Sequence, residues 1–308
     1  MTDKINSANE RLTRAKLSLT GLSIGDSLGD RFFLDPAIAE NLISERALPK
    51  SPWHYTDDTL MAMSIVSILR KYEKIDQDQL AKSFGERYDN TRGYGPAMHG
   101  LLHQFRLGEA WQDAASSLFN GRGSYGNGAA MRIAPLGAYF ADDLDMAIEQ
   151  AVCSAEVTHT NEEAIAGAIA VAVAAAWAWR VRENNPLPTR AEFLDLILPA
   201  IPKTEVSGKV RKARDMDKNA SLEFAVAVLG NGVMVSAQDT VPLALWCAAT
   251  HLNDFTEAFW LTVSALGDRD TTCAIVGGIV ALSAGQKSIP KDWLCSREAL
   301  PNWPFRDS

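Results

Sequence analysis

The sequence comprises 308 residues, of which 47% are hydrophobic, and it carries a formal net charge of −8. This provides enough apolar material for one large core or two merged ones. Because no Gly/Ser- or Pro-rich stretch separates two halves, we predict one compact domain spanning residues 1–308. The acidic balance argues against a nucleic-acid-binding protein, which would present a basic face.

The first residues, the apolar segments and the cysteines indicate the cellular compartment of the protein. Residues 1–16 are polar and charged, unlike a secretory signal. The longest apolar stretch, residues 164–179, is short for a membrane span and rich in alanine, so it predicts a buried core helix. The four cysteines are scattered without a CxxC pair, which indicates buried free thiols. We therefore predict a cytoplasmic protein that binds no membrane.

Apolar residues recur with helical spacing along most of the chain, whereas alternating, strand-like runs are scarce. The pattern therefore predicts an all-α fold. The predicted helices cover approximately residues 8–28, 60–69, 77–90, 128–141, 144–157, 164–180, 189–199, 244–249, 255–265 and 271–285.

The first informative motif is Tyr55-Thr56-Asp57-Asp58-Thr59, which directly precedes an apolar helical stripe. Asp and Thr side chains commonly cap helices by accepting hydrogen bonds from the free N–H groups of the first turn. Capping needs only one such residue, however, and neighbouring carboxylates repel one another unless a cation lies among them. The motif therefore predicts either an ordinary N-cap or part of a cation site.

A glycine-rich segment with the sequence GRGSYGNG, residues 121–128, comes immediately before a predicted helix. Glycines allow backbone N–H groups to approach a ligand, and a helix N-terminus adds positive potential, so such a turn suits a diphosphate. A plain loop is the alternative. Ser124, Tyr125 and Asn127 nevertheless add hydrogen-bonding groups that a passive turn would not need.

Two further segments are less specific. His159 follows Thr158 at a predicted helix boundary, and a lone histidine is more often structural than a ligand contact. The charged stretch of residues 203–218 mixes both signs and predicts a solvated helix or loop, with a partner contact as the alternative.

A second acidic motif, Gly267-Asp268-Arg269-Asp270-Thr271-Thr272, also precedes a predicted helix. If the two helix starts face each other, they offer only carboxylate and hydroxyl oxygens. Such hard ligands select Mg²⁺, Mn²⁺ or Ca²⁺ over zinc or iron, and a shared carboxylate can hold two ions about 3.5–4 Å apart. The sharper hypothesis is therefore a binuclear metal centre. Its ligands would be Thr56, Asp57, Asp58, Asp268, Asp270 and Thr271.

Taken in chain order, these motifs resemble those of the ADP-ribosylglycohydrolase family. Each motif is weak by itself, but six in the same order over almost the whole chain make coincidence a poor explanation. The matching segments are Gly21-x-x-x-Gly25-Asp26-x-x-Gly29, Tyr55-Thr56-Asp57-Asp58-Thr59, Arg92-Gly93-Tyr94-Gly95, Gly123-Ser124-Tyr125-Gly126-Asn127-Gly128-x-x-Met131-Arg132, Thr158-His159-Thr160 and Gly267-Asp268-x-Asp270-Thr271.

The resemblance implies a compact, single-domain orthogonal helical bundle with two Mg²⁺ ions, which Mn²⁺ could replace, at the six oxygen ligands named above. It implies that ADP-ribose is held by Gly123, Ser124, Tyr125, Gly126 and Asn127, with His159 beside a ribose or phosphate. Asp26 would support the ligands rather than bind metal, and Tyr94 would lie beside the distal ribose.

The activity implied is hydrolysis of ADP-ribose from a modified protein side chain, with the modified protein as partner and ADP-ribose as product. Cleavage of an N-glycosidic bond to arginine passes through an oxocarbenium-like state. Two metal ions can hold the ribose hydroxyls and activate a bridging water. Asp57 or Asp58 would be the catalytic group that orients this water or takes its proton.

The chain departs from the family pattern at two positions. Some members, including those resembling serine-specific enzymes, carry a Glu shortly after the first Gly-Asp motif, and this chain has Phe33 at the corresponding place. That favours arginine over serine as the acceptor. Arg269 replaces a small residue between the two aspartates, and it would either point to solvent or reach a substrate phosphate or an acidic partner.

Three alternatives stay open. The enzyme could act on serine-linked ADP-ribose or O-acetyl-ADP-ribose. The protein could instead be an immunity factor that binds and neutralises an ADP-ribosylating toxin, for which the Phe32-Phe33 pair and residues 203–218 are the only sequence features. An inactive descendant of the fold is the third, although the intact set of metal-site oxygens argues against it.

Overall fold

Three glycines recur at every fourth position near the end of the first helix, α1 (Thr2–Asp30). Because residues four apart lie on the same side of a helix, Gly21, Gly25 and Gly29 form one smooth face. In the computed structural model, which describes residues 2–306, this face packs on helix α16 (Arg269–Ala284).

The two helix backbones touch at these glycines. A Cβ atom at Gly21 would lie 2.2 Å from the carbonyl oxygen of Gly277, and one at Gly25 would lie 2.0 Å from that of Cys273. No larger residue fits without separating the helices. The close approach carries Asp26, the neighbour of Gly25, to the start of α16.

Residues 2–306 contain seventeen α-helices, two 3₁₀ turns and no β-sheet, so the prediction of an all-α bundle is confirmed. The remaining α-helices are α2 (Pro36–Ser44), α3 (Asp57–Tyr72), α4 (Gln77–Arg87), α5 (Pro96–Arg106), α6 (Trp111–Gly121), α7 (Gly128–Met131), α8 (Ala134–Tyr139), α9 (Leu144–Glu156), α10 (Glu162–Val181), α11 (Arg190–Ile197), α12 (Glu205–Asp215), α13 (Leu222–Leu229), α14 (Ala237–Thr250), α15 (Phe255–Val263) and α17 (Lys291–Ser296). The 3₁₀ turns are Leu198–Ala200 and Gln286–Ser288.

Helix α10 lies in the single hydrophobic core that these helices surround. Among residues 2–306 it is the one helix long and apolar enough to cross a membrane, but 78% of its most apolar window is buried inside the protein. This burial agrees with the predicted core helix.

The structure corrects three expectations. The helix predicted over residues 128–141 is broken into α7 and α8, because Pro135 has no N–H to continue the helical hydrogen bonds. The charged stretch of residues 203–218 contains a helix, α12, as one of the two predicted forms, but this helix is not solvated on all sides, because Val206, Val210 and Ala213 are buried. The cysteines are free, but Cys153 is only partly buried and Cys295 is exposed.

Candidate metal centre and substrate cleft

The first acidic motif forms the start of α3. Thr56 is the N-cap, and its Oγ1 accepts a 3.3 Å hydrogen bond from the N–H of Asp58. The capping interpretation is therefore correct for Thr56. The carboxylates of Asp57 and Asp58 do not cap the helix. Both residues line a cleft, where little of their surface is exposed.

Asp26 holds this helix start in place. Its carboxylate accepts hydrogen bonds from the hydroxyl of Thr56 (2.8 Å) and from the hydroxyl of Thr59 (2.5 Å). It also accepts from the backbone N–H groups of the same two residues, at 3.0 and 3.2 Å. Four donors on one carboxylate fit the predicted supporting role.

The second acidic motif forms the start of α16. Asp268 occupies the N-cap position, but its side chain makes no capping hydrogen bond. Its Oδ2 instead accepts a 2.6 Å hydrogen bond from Nδ2 of Asn127, in the glycine-rich turn. Asp270 accepts a 2.8 Å bond from the N–H of Thr271.

The two helix starts face each other across one cleft of about 680 Å³. Asp26, Asp58 and Asp270 each place one carboxylate oxygen within 4.8 Å of the others. The juxtaposition that the metal hypothesis requires is therefore present. The predicted metal ligands that line the cleft are Asp57, Asp58, Asp268, Asp270 and Thr271. Thr56 lies beside them and borders a neighbouring hollow of about 480 Å³.

The carboxylates of this cluster have little compensating charge among residues 2–306: the charge of Arg132 lowers the pKa of Asp57, but burial and neighbouring aspartates raise it by more. Burial, followed by repulsion from neighbouring aspartates, raises the pKa of Asp58 and of Asp270 well above the usual range. The same two causes raise the pKa of Asp57 to about 8. Such shifts mean that the ionised cluster is unfavourable without a cation.

One oxygen of the cluster has no hydrogen-bond donor. Asp58 Oδ2 is buried and has no partner among residues 2–306. An unsatisfied buried carboxylate oxygen is costly, and a divalent cation would satisfy it. Since the side chains at this point offer only oxygen ligands, the residues present fit Mg²⁺ or Mn²⁺.

The glycine-rich turn forms the wall beside the acidic cluster. Ser124, Tyr125, Gly126 and Asn127 line the cleft, as predicted for residues that hold a ligand. Gly123 does not line it. Its φ is +69°, and a Cβ there would lie 2.0 Å from Oγ1 of Thr160, so this glycine allows close packing behind the turn.

His159 also lines the cleft, packed against the glycine-rich turn. A Cβ at Gly126 would lie 3.3 Å from Nε2 of His159, and one at Gly128 would lie 3.0 Å from the same atom. The glycines therefore leave room for the imidazole. The four-residue α7 that follows is too short for the helix-dipole effect expected from a long helix. The prediction that the turn binds a diphosphate therefore depends on the access that its glycines give to backbone N–H groups.

The rim of the cleft is largely apolar, and sequence reasoning identified only Tyr125 among its residues. The rings of Phe119 and Tyr125 lie 6.0 Å apart at the mouth, and both are about half exposed. Met234 and Val235 complete the rim, because Ala237 donates a backbone hydrogen bond of 3.0 Å to the carbonyl of Tyr125. Phe119, Met234 and Val235 are single apolar residues that belong to no sequence pattern that could have identified them.

Arg132 is a second residue whose role the sequence did not reveal. Arg132 has no exposed surface, and its guanidinium lies 4.7 Å from the ring centroid of Phe84. Its Nη2 donates two hydrogen bonds of 2.9 Å each, one to the carbonyl of Ser154 and one to Oγ1 of Thr158. The sequence signal for a buried role was that Arg132 is the one charged residue within the otherwise apolar residues 129–140.

Both departures from the family pattern lie outside the cleft. Arg269 is buried, donates a 2.8 Å hydrogen bond to the carbonyl of Phe32, and lies 5.2 Å from the ring centroid of Phe33. The expectation that Arg269 points to solvent is therefore wrong, and Arg269 does not line the cleft, where a contact with a substrate phosphate would need it; a contact with an acidic partner stays a prediction. Phe32 is fully buried and Phe33 is 47% exposed.

Known proteins are similar to this chain in sequence and in fold. A family model described as ADP-ribosylglycohydrolase matches residues 7–304. ADP-ribosylhydrolase ARH3 of Homo sapiens is 27% identical, with 94% of this chain and 91% of that protein covered. ADP-ribosylarginine hydrolase Tri1 of Pseudomonas putida is 26% identical, with 92% of this chain and 74% of that protein covered. A solved structure described as an ADP-ribosylglycohydrolase-related protein complex has a TM-score of 0.65 at 24% identity, covers 94% of both chains, and supports the fold alone.

Proposed function

The chain belongs to the ADP-ribosylglycohydrolase family, and we propose that it is a cytoplasmic, magnesium-dependent hydrolase that removes ADP-ribose from arginine side chains of modified proteins. One observation carries the proposal. Two acidic helix starts that are about 210 residues apart in sequence meet at the floor of a cleft whose wall is the glycine-rich turn. A cation-binding floor beside a phosphate-accepting wall suits a ribose attached to a diphosphate.

The metal ligands in this proposal are the six predicted from sequence, Thr56, Asp57, Asp58, Asp268, Asp270 and Thr271. The unpartnered Oδ2 of Asp58 and the raised pKa values of its neighbours support it. When bound, two Mg²⁺ ions would supply Lewis-acid activation of a water molecule and of the ribose hydroxyls.

The protein's own groups orient the reactants. Asp57 and Asp58 lie at the cleft floor, so either carboxylate can accept the proton of a water that attacks C1 of the ribose. Asp26 keeps both in position by accepting hydrogen bonds from the backbone N–H and the hydroxyl of Thr56 and of Thr59. Holding the water and the sugar in a fixed geometry is itself a large part of such catalysis.

The wall and rim of the cleft suit the rest of ADP-ribose. The backbone of residues 124–128 offers N–H groups to the diphosphate without interference from large side chains. The exposed rings of Phe119 and Tyr125 offer an aromatic surface for the adenine base. The substrate would then extend from the apolar rim to the acidic floor.

Arginine is the acceptor that we favour. Phe33 lies outside the cleft, so the segment after α1 adds no carboxylate to the site. One similar protein is named as an ADP-ribosylarginine hydrolase, whereas others are named only as ADP-ribosylhydrolases. Serine-linked ADP-ribose and O-acetyl-ADP-ribose are the competing substrates.

The test uses the purified protein and three substrates: arginine-linked ADP-ribose, serine-linked ADP-ribose and O-acetyl-ADP-ribose. Each is incubated with Mg²⁺, with EDTA, and with EDTA followed by excess Mg²⁺, and released ADP-ribose is measured. We expect release from the arginine-linked substrate that EDTA stops and Mg²⁺ restores. Release from only one of the other two would overturn the acceptor assignment, and EDTA-insensitive release would overturn the metal assignment.

A further inference from the structure

A chain of hydrogen bonds runs from a buried guanidinium to the imidazole that lines the cleft. Arg132 Nη2 lies 2.9 Å from Thr158 Oγ1, and Thr158 Oγ1 lies 2.7 Å from His159 Nδ1. Arg132 and Thr158 have no exposed surface, and His159 is 3% exposed. We call these three residues the Arg132–Thr158–His159 relay.

The direction of each hydrogen bond in the relay follows from the groups involved. A guanidinium can only donate, so Thr158 Oγ1 accepts from Arg132. The hydroxyl proton of Thr158 then needs an acceptor, and among residues 2–306 the acceptor available to it is His159 Nδ1. If Nδ1 carried a proton instead, Thr158 would receive two donors while its own buried proton stayed unsatisfied, which is costly.

The other imidazole nitrogen faces the glycine-rich turn. His159 Nε2 lies 3.3 Å from the Cβ position of Gly126 and 3.0 Å from that of Gly128. The structure gives Nε2 no hydrogen-bond partner within residues 2–306, and the residue lines the cleft. A ligand held by the turn would therefore meet this nitrogen.

We propose that Arg132, acting through Thr158, holds His159 as the neutral tautomer protonated at Nε2, so that the imidazole, which the family resemblance already places beside a ribose or phosphate, presents an N–H donor to the substrate's diphosphate. The second part rests on the proposed function. Arg132 is a positioning residue, since it does not line the cleft. His159 is the residue that contacts the ligand.

The electrostatic surroundings agree with a neutral ring. Burial, with a smaller contribution from the charge of Arg132, lowers the pKa of His159 to about 3. The ring therefore stays neutral near pH 7. A neutral ring protonated at Nδ1 would present a lone pair to the phosphate oxygens, whereas the Nε2–H form presents a donor.

The first measurement is the ¹⁵N NMR spectrum of the free protein, which distinguishes protonated from unprotonated imidazole nitrogens. The signals of His159 are assigned by their loss in His159→Gln. We expect Nε2 to be protonated and Nδ1 unprotonated, without change between about pH 6 and about pH 8. A ring protonated at Nδ1, or one that titrates in this range, would overturn the proposal.

The second measurement is ADP-ribose affinity by calorimetry in Mg²⁺. Thr158→Val removes the hydroxyl and keeps the shape, Thr158→Ser keeps the hydroxyl, and Thr262→Val is the control for a buried threonine whose hydroxyl bonds within α15. We expect about tenfold weaker binding for Thr158→Val, together with loss of the tautomer preference. The serine variant and the control should bind as wild type does.

Equal affinity of Thr158→Val and wild type would overturn the donor role. Because the tautomer is read in the free protein, it tests the relay even if the valine variant does not fold. Failure of the wild type to bind ADP-ribose would reject the proposed function and with it the diphosphate contact, whereas the tautomer would still report on the relay.

Discussion

The side-chain amide of Asn127 donates a 2.6 Å hydrogen bond to Oδ2 of Asp268 and a 3.0 Å bond to Oγ1 of Thr240. These bonds connect the glycine-rich turn, which forms the proposed substrate wall, with the second acidic helix start, which forms the proposed metal floor. Because one residue orients both parts, a change in the turn should be measurable at the metal site.

Replacing Asn127 with Ala should therefore weaken Mg²⁺ binding. Loss of a group that orients a metal ligand typically lowers affinity roughly 10–100-fold. Calorimetric titration of Mg²⁺ into the metal-free variant measures the change. Asn219→Ala, at an exposed asparagine, is the matched control. Unchanged Mg²⁺ affinity in Asn127→Ala would show that Asp268 does not depend on this hydrogen bond.

Replacing Asp57 or Asp270 with Asn should abolish turnover while the fold is kept. Both carboxylates line the cleft floor, and each is a proposed metal ligand. At about pH 8.5, above the raised pKa of Asp57, the metal-free Asp57→Asn protein should melt at a higher temperature than the metal-free wild type, because one of several repelling charges is removed. Activity assays, circular dichroism and metal analysis test this, with the exposed Asp145→Asn as control. Full activity with unchanged magnesium content would contradict the assignment.

The stabilisation provided by Mg²⁺ should depend on pH. A carboxyl group whose pKa is higher in the folded than in the unfolded state favours folding at low pH, and this contribution is lost as pH rises through the folded value. That value is about 6 for Asp26 and about 8 for Asp57, and it is well above the usual range for Asp58. The metal-free protein should therefore become less stable between about pH 5.5 and about pH 8.5.

Thermal melting with EDTA and with Mg²⁺ at the two pH values measures this effect. The increase in melting temperature caused by Mg²⁺ should be larger at the higher pH, since the ions then replace protons that have been lost. An increase that is the same at both pH values would indicate that the ions do not bind at the raised-pKa carboxylates.

The contact between α1 and α16 should not tolerate a methyl group. Gly25→Ala would place Cβ 2.0 Å from the carbonyl oxygen of Cys273, so we expect a loss of at least about 1–3 kcal/mol in the free energy of unfolding. Gly208→Ala, in α12 with nothing within 4 Å of its Cβ position, should instead gain about 0.5–1 kcal/mol. Urea denaturation compares the two variants, and a Gly25→Ala protein as stable as wild type would contradict the close packing.

Local sequence was sufficient for the elements of the site. The Thr56-Asp57-Asp58 and Asp268-Arg269-Asp270 segments were predicted to begin helices, and they do. Such prediction works because capping and helix starts depend on residues only a few positions apart. The same local reasoning failed for residues 128–141, where Pro135 ends the helical hydrogen-bond pattern.

The sequence by itself determined the helical class of the fold, the acidic chemistry of the two helix starts and the glycine content of the turn. Only the tertiary structure decided which oxygens share a cavity, that Asp26 supports Thr56 and Thr59, and that Arg269 turns away from the cleft. The physical reason is that these relationships depend on how closely α1 packs on α16, and that distance is set by contacts between residues about 250 positions apart.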